Sequence, residues 1–287
     1  MIEPISLGTW PTPVERAPRL RERLGLEELW LKRDDLCGLG GGGNKVRKLE
    51  YTCAEALAAG ADTVITSGGP QSNHARLTAA AAARLGLRCV LVLGGTERRK
   101  AGNLLLDEMA DARIVWAGDT PLDEVVNREK GTAFVIPFGG SSPTSIDGYA
   151  ACAREITEQV TTFDVVITAV GSGGTMAGLV KELGPARVVG VDTGAVPDPA
   201  ATVSGLLGGA VAPADLRIDR SQVGAGYAAL TDSVRDALAL AARTEGVFLD
   251  PTYTGRAMAS LIAGGHGDRV VFLHTGGLPG LFGHPDV

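Results

Sequence analysis

The regular alternation of short apolar runs with helix-patterned stretches most constrains the fold of this chain of 287 residues. Runs of strand length, such as residues 89–93 and 165–170, are each followed by a stretch with helical spacing. Strands that alternate with helices favour parallel sheets covered by helices on both faces. Such sheets bind ligands in the loops at the carboxyl ends of their strands. The sequence therefore predicts an α/β protein whose functional groups lie in those loops.

The periodicity of the apolar residues places the individual elements. We predict strands at residues 30–32, 63–66, 89–93, 114–116, 133–136, 165–170, 188–191 and 270–273. We predict helices at residues 14–24, 45–59, 72–85, 101–110, 121–129, 145–160, 175–183, 200–207, 230–244 and 254–263. The length suffices for one large domain or two smaller ones.

Composition narrows the classes of partner. A formal net charge of -6 and 45% hydrophobic residues describe an ordinary, mildly acidic soluble protein. Neither a basic stripe nor an aromatic platform is present, so we expect no nucleic-acid partner. The longest apolar runs have strand length and the N-terminus lacks the pattern of a signal peptide, so we expect no membrane. The four cysteines form no C-x-x-C pair. We therefore expect no metal site, and reduced thiols in a cytoplasmic protein.

The glycine loop at residues 40–43 leads to Asn44, a predicted helix N-cap, and to Lys45. Composition alone would make Lys45 an ordinary solvated surface charge. A glycine loop, however, is where backbone approaches a ligand closely. A lysine whose pKa falls on desolvation can serve as a Schiff-base nucleophile. Our hypothesis is that Lys45 holds pyridoxal phosphate.

The loop at residues 171–175 follows a strand and opens a helix, where free N–H groups and the helix dipole favour an anion. It lacks the G-K-[ST] ending of a P-loop and the spacing of a dinucleotide fingerprint. A small phosphomonoester fits it better. The alternative is a glycine turn required by sterics alone.

Gln71, Ser72 and Asn73 place three polar side chains at another helix start, suited to a carboxylate, although a decorated N-cap is the alternative. His74 is either an acid–base group or a neutral packing residue. Loops at residues 139–145, 250–255 and 274–277 are also rich in turn residues. Five such loops at strand ends together favour one binding site.

Six motifs that occur in one order resemble those of a known family. They lie at residues 42–51, 71–74, 139–143, 171–175, 249–255 and 274–277. The chain resembles the D-cysteine desulfhydrase and 1-aminocyclopropane-1-carboxylate deaminase family, within the fold type II (tryptophan-synthase-β-like) pyridoxal-phosphate enzymes. The match runs from residue 11 to the last strand.

The resemblance implies two open, mostly parallel-sheet α/β domains with the active site in the cleft between them. Residues 1–48 and 155–287 would form a large domain that binds pyridoxal phosphate, and residues 49–154 a small one. The resemblance also implies a homodimer that acts on a small amino acid.

The resemblance implies roles residue by residue. Lys45 would bind pyridoxal phosphate covalently, and Asn73 would lie beside its ring hydroxyl. The phosphate would be held by Gly171, Ser172, Gly173, Gly174 and Thr175. The substrate would be bound by Gln71, Ser72, Asn73, His74, Ser141 and Tyr227. Ser72, Tyr227 and Tyr253 would take part in proton transfer, with pocket walls as the alternative role of both tyrosines.

Two threonines favour the desulfhydrase side of the family. In the deaminase branch of the family an acidic residue follows the second active-site tyrosine. Tyr253 matches that tyrosine, and the residue after it in this chain is Thr254. A neutral hydroxyl, Thr254 or Thr275, opposite the pyridine nitrogen would make the ring a weaker electron sink, which favours β-elimination. Residues 144–147 depart from the family pattern, which leaves the substituent on the substrate open.

The predicted reaction is α,β-elimination of D-cysteine or a close analogue to pyruvate, ammonia and the leaving group. Lys45 would remove the Cα proton. Two alternatives stay open: ring opening of the 1-aminocyclopropane-1-carboxylate type, and a phosphate- or nucleotide-binding α/β module without catalysis.

Overall fold

The chain folds into two sheets, as seen in a computed structural model that describes residues 3–287. Its ten strands are β1 (Val14–Arg16), β2 (Glu28–Arg33), β3 (Thr63–Gly68), β4 (Arg88–Leu93), β5 (Arg113–Trp116), β6 (Phe134–Val135), β7 (Val165–Val170), β8 (Val188–Asp192), β9 (Arg217–Asp219) and β10 (Arg269–His274).

Eleven α-helices connect and cover these strands. They are α1 (Pro18–Leu24), α2 (Lys45–Ala58), α3 (Asn73–Leu85), α4 (Gly102–Met109), α5 (Leu122–Glu129), α6 (Asp147–Gln159), α7 (Gly174–Leu183), α8 (Pro199–Leu206), α9 (Asp232–Glu245), α10 (Thr254–Ala263) and α11 (Leu278–Gly283). Within residues 3–287, none of these helices is long and apolar enough to cross a membrane.

The larger sheet has the strand order β1-β2-β10-β7-β8-β9, and only β1 runs antiparallel to its neighbour. Strand β10 lies between β2 and β7, with Val271 opposite both Trp30 and Val166. The smaller sheet has the order β5-β4-β3-β6 and is wholly parallel. The predicted pair of mostly parallel sheets is therefore confirmed.

Alternate residues of each central strand belong to different cores, as expected when helices cover both faces of a sheet. On β7, Val165 and Ile167 pack in one cluster with α9 and α10, whereas Val166 and Val170 pack in another with α6 and α7. The smaller sheet shows the same division. Val64 packs with α2 and α3, and its neighbour Ile65 packs with α5.

The cores also bear on the domain boundaries, which stay a prediction. The apolar side chains of α2, namely Val46, Leu49 and Cys53, pack with the smaller sheet. Helix α6 packs as a whole with the larger sheet. The predicted boundaries at 48/49 and 154/155 cut through both helices, so we propose to move each boundary to the start of its helix.

The prediction of a helix over residues 14–24 is wrong at its beginning. Residues 14–16 form β1, which pairs with residues 30–32 of β2. The helix begins only at Pro18, because proline fixes its own φ and disfavours the helical conformation at the residue before it. The short strand β9 and helix α11 were not predicted.

Candidate active site

A narrow cavity opens where the loops after several parallel strands meet. The lining includes Asn44, Lys45, Lys48, Asn73, Gly171, Ser172, Gly173, Gly174, Thr175, Tyr253 and Thr275. An adjoining part is lined by Gly69, Ser72, His74, Phe138, Ala195 and Tyr227 as well. Predicted site residues from six separate segments of the chain thus surround one space.

Lys45 begins α2 and projects into this cavity. Its Nζ lies 3.0 Å from Asn44 Oδ1 and 5.7 Å from the centroid of the Tyr253 ring. Burial lowers the pKa of Lys45 to about 8, against the attraction of Asp250 and with a smaller contribution from the positive charge of Arg76. A sizeable fraction of the amine is therefore neutral near physiological pH, as a nucleophile requires.

Asn44 is not the N-cap that the sequence predicted. Its φ and ψ, -56° and -21°, are helical, and its side chain makes no capping hydrogen bond. Instead its Nδ2 donates to Thr175 Oγ1 at 2.9 Å, while its Oδ1 accepts from Lys45. Asn44 thus couples the lysine to the glycine loop that begins α7.

The loop of residues 171–175 has the geometry of an anion site. Gly173 caps α7 with φ of 82°, a conformation that favours glycine. A Cβ on Gly174 would lie 2.4 Å from Ser141 Oγ, so a larger residue there would have to displace the Ser141 side chain. Within the described chain, the backbone N–H groups of residues 172–175 have no protein acceptor. They remain available to a phosphate.

Lys48 is a cavity residue that the sequence analysis missed. It lies one turn after Lys45 on α2, and its Nζ donates to the Gly139 carbonyl and, at 3.0 Å, to Ser141 Oγ. Burial and then the neighbouring charge of Lys45 lower its pKa well below the ordinary value. The i,i+3 spacing of the two lysines was the available signal, because such residues share a helix face.

Residues 71–73 do not act as one group. Ser72 lines the cavity and is the N-cap of α3, its Oγ accepting from Ala75 N at 3.1 Å. Asn73 also lines the cavity. Gln71 is turned away: its Nε2 donates to Ala101 O and its Oε1 accepts from Asn103 N. The structure therefore contradicts the prediction of Gln71 as a substrate ligand, because both ends of its amide are used by the backbone of another loop.

His74 is buried and borders the cavity, and its Nε2 lies 2.8 Å from Thr66 Oγ1. Burial, followed by the charges of Lys48 and Lys45, lowers its pKa well below the ordinary value. The ring is thus neutral at physiological pH, which agrees with the packing alternative. Contact with a substrate stays a prediction for this residue.

Tyr227 and Tyr253 form a pair at the mouth of the cavity. Their hydroxyl oxygens are 2.7 Å apart and their rings meet edge to face. Burial and then Tyr227 raise the pKa of Tyr253 well above its usual value, so it stays a phenol at neutral pH. Tyr227 is 46% exposed, so the pair leads from the neighbourhood of Lys45 to solvent.

The loop that carries Tyr227 is held from two sides. Arg256 on α10 donates from Nη2 to the carbonyls of Gly226 and Ala229, at 2.7 and 2.8 Å. His284 Nε2 donates to the Ala228 carbonyl between them at 2.9 Å. Three backbone carbonyls next to Tyr227 are therefore fixed, and with them the position of its ring.

Only one of the two predicted threonines reaches the cavity. Thr275 lines it. Thr254 is fully buried, donates to Asp250 Oδ1 at 2.7 Å and accepts from Asp250 N. The structure contradicts Thr254 as a cofactor ligand, because its hydroxyl is already paired with Asp250. Thr254 instead holds that carboxylate in place.

Two further predicted positions have indirect roles. Ser141 lies behind the cavity wall, with its Oγ 2.8 Å from Ser172 Oγ. Residues 144–147, where the sequence departs from the family pattern, are absent from the lining. Thr144 donates to Glu55 and Ser145 donates to the Gly140 carbonyl. The departure therefore does not reshape the cavity directly.

The arrangement fits pyridoxal phosphate. Unpaired N–H groups, the Thr175 hydroxyl and Lys48 are suited to the phosphate, and Lys45 offers an amine whose lowered pKa leaves part of it uncharged near physiological pH. Thr275 adds a neutral hydroxyl, and Asn73 an amide, at the lining of the same cavity.

Comparisons with known proteins agree with this arrangement. A family model described as "Pyridoxal-phosphate dependent enzyme" matches residues 5–276. A D-cysteine desulfhydrase of Salmonella schwarzengrund is 41% identical, over 96% of this chain and 95% of that protein. A Pyrococcus abyssi protein named "Putative 1-aminocyclopropane-1-carboxylate deaminase" is also 41% identical, over 97% of this chain and 92% of that protein.

A solved structure described as an ACC deaminase homologue matches the fold with a TM-score of 0.88 and 34% identity. The match covers 99% of this chain and 95% of that one. The similarity therefore extends over both sheets and all of the loops described above.

Proposed function

Because this chain belongs to the family of pyridoxal-phosphate dependent enzymes, we propose that it is a lyase that eliminates the β-substituent of an amino acid. The proposed substrate is D-cysteine or a close analogue, and the products are pyruvate, ammonia and the leaving group, which is sulfide for cysteine. The observation that carries this proposal is the position of Lys45 between an anion-binding loop and a hydrogen-bonded tyrosine pair. A phosphate-binding module without catalysis would leave Lys45 and Tyr253 without a role.

The loop of residues 171–175 and Lys48 would bind the phosphate, and Lys45 would hold the cofactor covalently. Bound pyridoxal phosphate supplies an electron sink that acidifies the Cα–H bond of the substrate. The Lys45 amine would act as the base that accepts the Cα proton at its Nζ. Its pKa of about 8 suits a base that works near neutral pH.

Ser72 and the beginning of α3 would bind the substrate carboxylate, since an N-terminal helix turn favours an anion. Tyr253 would give a proton to the departing group and regain it through Tyr227, which reaches solvent. Thr275 would face the pyridine nitrogen with a neutral hydroxyl. A neutral hydroxyl at this position would make the ring a weaker electron sink, which favours elimination over a reaction that needs a stronger one.

A panel of amino acids tests the proposal. The purified protein with pyridoxal phosphate is incubated with D-cysteine, L-cysteine and 1-aminocyclopropane-1-carboxylate, and the 2-oxo acid, ammonia and sulfide are measured. Equal amounts of pyruvate and sulfide from D-cysteine support elimination. A 2-oxo acid from 1-aminocyclopropane-1-carboxylate, without sulfide, supports the alternative of ring opening. Two of the similar proteins are named after that activity. No product from any β-substituted amino acid contradicts the proposal.

Capture of the cofactor is expected to depend on pH. Only the neutral amine attacks an aldehyde, so the rate at which the apo protein binds pyridoxal phosphate rises with pH through a midpoint at about 8 and levels off at higher pH. Stopped-flow absorbance between pH 6 and 10 measures this rate. A rate that still rises without levelling off at the upper end of this range, as for the ordinary lysine value of 10.5, would show that burial does not lower the pKa of Lys45.

The support of Tyr227 gives a second expectation. Arg256→Lys keeps the charge but has one nitrogen in place of the two that bind the carbonyls of Thr193, Gly226 and Ala229, so we expect kcat to fall about 10- to 100-fold. The affinity for pyridoxal phosphate should change little. Arg217→Lys is the matched control, because Arg217 donates to the Ala186 carbonyl on an exposed part of the surface. Unchanged kcat in Arg256→Lys would remove Arg256 from this role.

We also propose that the protein is a cytoplasmic homodimer that binds neither nucleic acid nor membranes. Family resemblance supports the dimer, as do the exposed side chains of Met109 and Phe282, which are 76% and 73% accessible. Gel filtration with light scattering tests it, and a monomer at micromolar concentration would contradict it.

A further inference from the structure

Asn103, the second residue of α4, contacts the back of the proposed active site without lining the cavity. Its side chain is fully buried, and its Nδ2 lies 2.9 Å from both the Gln71 carbonyl and Asn73 Oδ1. These contacts connect a helix beside the smaller sheet to a residue that lines the cavity.

The direction of each of these hydrogen bonds follows from the backbone groups involved, because a backbone N–H only donates and a backbone carbonyl only accepts. Gln71 Nε2 meets the Ala101 carbonyl and its Oε1 meets Asn103 N, which sets the orientation of the Gln71 amide. A backbone carbonyl only accepts, so the Asn103 atom that meets the Gln71 carbonyl must be the nitrogen. The second hydrogen of that nitrogen points to Asn73, whose contacting atom must then be an oxygen.

The consequence is that Asn73 offers a nitrogen to the cavity. Its Oδ1 is occupied by Asn103, and no hydrogen bond within residues 3–287 uses its Nδ2. Asn103 does this at a cost, because its own Oδ1 is buried without a partner. An apolar residue at this position would avoid that cost.

We infer that Asn103 is a positioning residue that fixes the polarity of Asn73, so that an N–H donor faces the ring oxygen of the cofactor. This inference rests on the proposed function. A donor attracts the negative charge of that oxygen, whereas the reversed amide would present a carbonyl and repel it. Asn103 thereby strengthens binding of the cofactor without touching it.

A double-mutant cycle on cofactor affinity tests the inference. Asn103→Ala is expected to raise the Kd for pyridoxal phosphate by about 10- to 100-fold, the usual effect of a hydrogen bond to a charged group. In the Asn73→Ala background the same change should alter Kd less than about twofold. Asn127→Ala, on the exposed face of α5, is the control and should leave Kd unchanged. Equal losses in both backgrounds would mean that Asn103 only supports the fold, and would overturn the inference.

A measurement on the apo protein separates this inference from the proposed function. Side-chain amide exchange is followed by ¹H–¹⁵N NMR in the absence of cofactor. The Asn103 amide protons, both hydrogen-bonded, should exchange slowly, and those of Asn73 should exchange fast. The opposite order overturns the inference. If Asn103 exchanges more slowly than Asn73 but the wild-type protein binds no pyridoxal phosphate, the orientation of the Asn73 amide is supported and the proposed function fails.

Discussion

Lys45→Ala is expected to abolish the release of pyruvate and to remove the visible absorbance of bound pyridoxal phosphate. The variant loses both the amine that holds the cofactor and the base that accepts the Cα proton. Proton transfer alone accounts for about 10²- to 10⁴-fold in rate. Added methylamine should restore part of the activity, because a small amine can enter the space that the side chain leaves.

Lys130→Ala is the control for this prediction, because Lys130 is exposed after α5 and far from the cavity lining. It should match the wild type in absorbance and rate. A Lys45→Ala variant that stays coloured after dialysis and keeps its rate would show that another group carries the cofactor, with Lys48 the nearest candidate in the same lining.

Arg47→Met is expected to destabilise the fold by about 3–5 kcal/mol, the usual effect of removing one partner from a buried ion pair. Arg47 donates from Nε to Asp34 Oδ2 at 2.9 Å and from both terminal nitrogens to Glu155 at 2.8 Å. Asp34 is completely buried. Without the guanidinium its charge keeps the hydroxyls of Thr12 and Tyr149 and the weak donor Cys152 Sγ at 4.0 Å. Urea denaturation measures the loss.

The exposed pair of Arg88 and Asp62 provides the matched control, since both side chains are more than 70% accessible. Arg88→Met should cost less than about 1 kcal/mol. The double variant Arg47→Met with Asp34→Asn should recover part of the loss, because no uncompensated charge remains. A loss at Arg47 no larger than the loss at Arg88 would contradict the prediction.

The ion pair of Asp34 and Arg47 also predicts how stability depends on pH. The unfolding free energies of the wild type and of Arg47→Met should change in opposite directions as pH falls. Burial alone would raise the pKa of Asp34, but Arg47, Tyr149 and Thr12 together hold that pKa below the ordinary aspartate value of 3.8. The carboxylate thus stabilises the folded wild type above pH 3.8, and this contribution is lost as pH falls through the lower folded pKa. In Arg47→Met burial prevails and raises that pKa. The difference in unfolding free energy between the two proteins should therefore narrow as pH falls from 7 towards 4.

Much of the fold could be predicted because apolar residues recur at one spacing in the helices of this chain and at another in its strands. Residues 165–170 and 270–273 are continuous apolar runs, as expected of strands buried on both faces, and they lie in the centre of the larger sheet. Strand β1 could not be recognised in this way. Three residues are too few to show a period, and its conformation depends on pairing with β2, a long-range contact.

The site was predictable to the level of loops, and less so to single side chains. Lys45 and residues 171–175 follow from local turn chemistry, and the structure brings them together. Gln71 and Thr254 were predicted as ligands, but their side chains point away from the cavity. In a turn, neighbouring residues direct their side chains to different sides, and the sequence does not show which residue faces the ligand. Their partners, Asn103 and Asp250, decide that direction, and Asn103 comes from a different element of the fold.

The position of β10 in the larger sheet has a consequence for biosynthesis. Strands β2 and β7 are made first, but they do not touch each other, because β10 fills the space between them. While the ribosome is still adding the residues before β10, both strands keep an open edge that can pair with other chains. The larger sheet closes only after translation has passed residue 274. Nascent chains that stall earlier are therefore expected to need chaperones, although their smaller sheet is already complete.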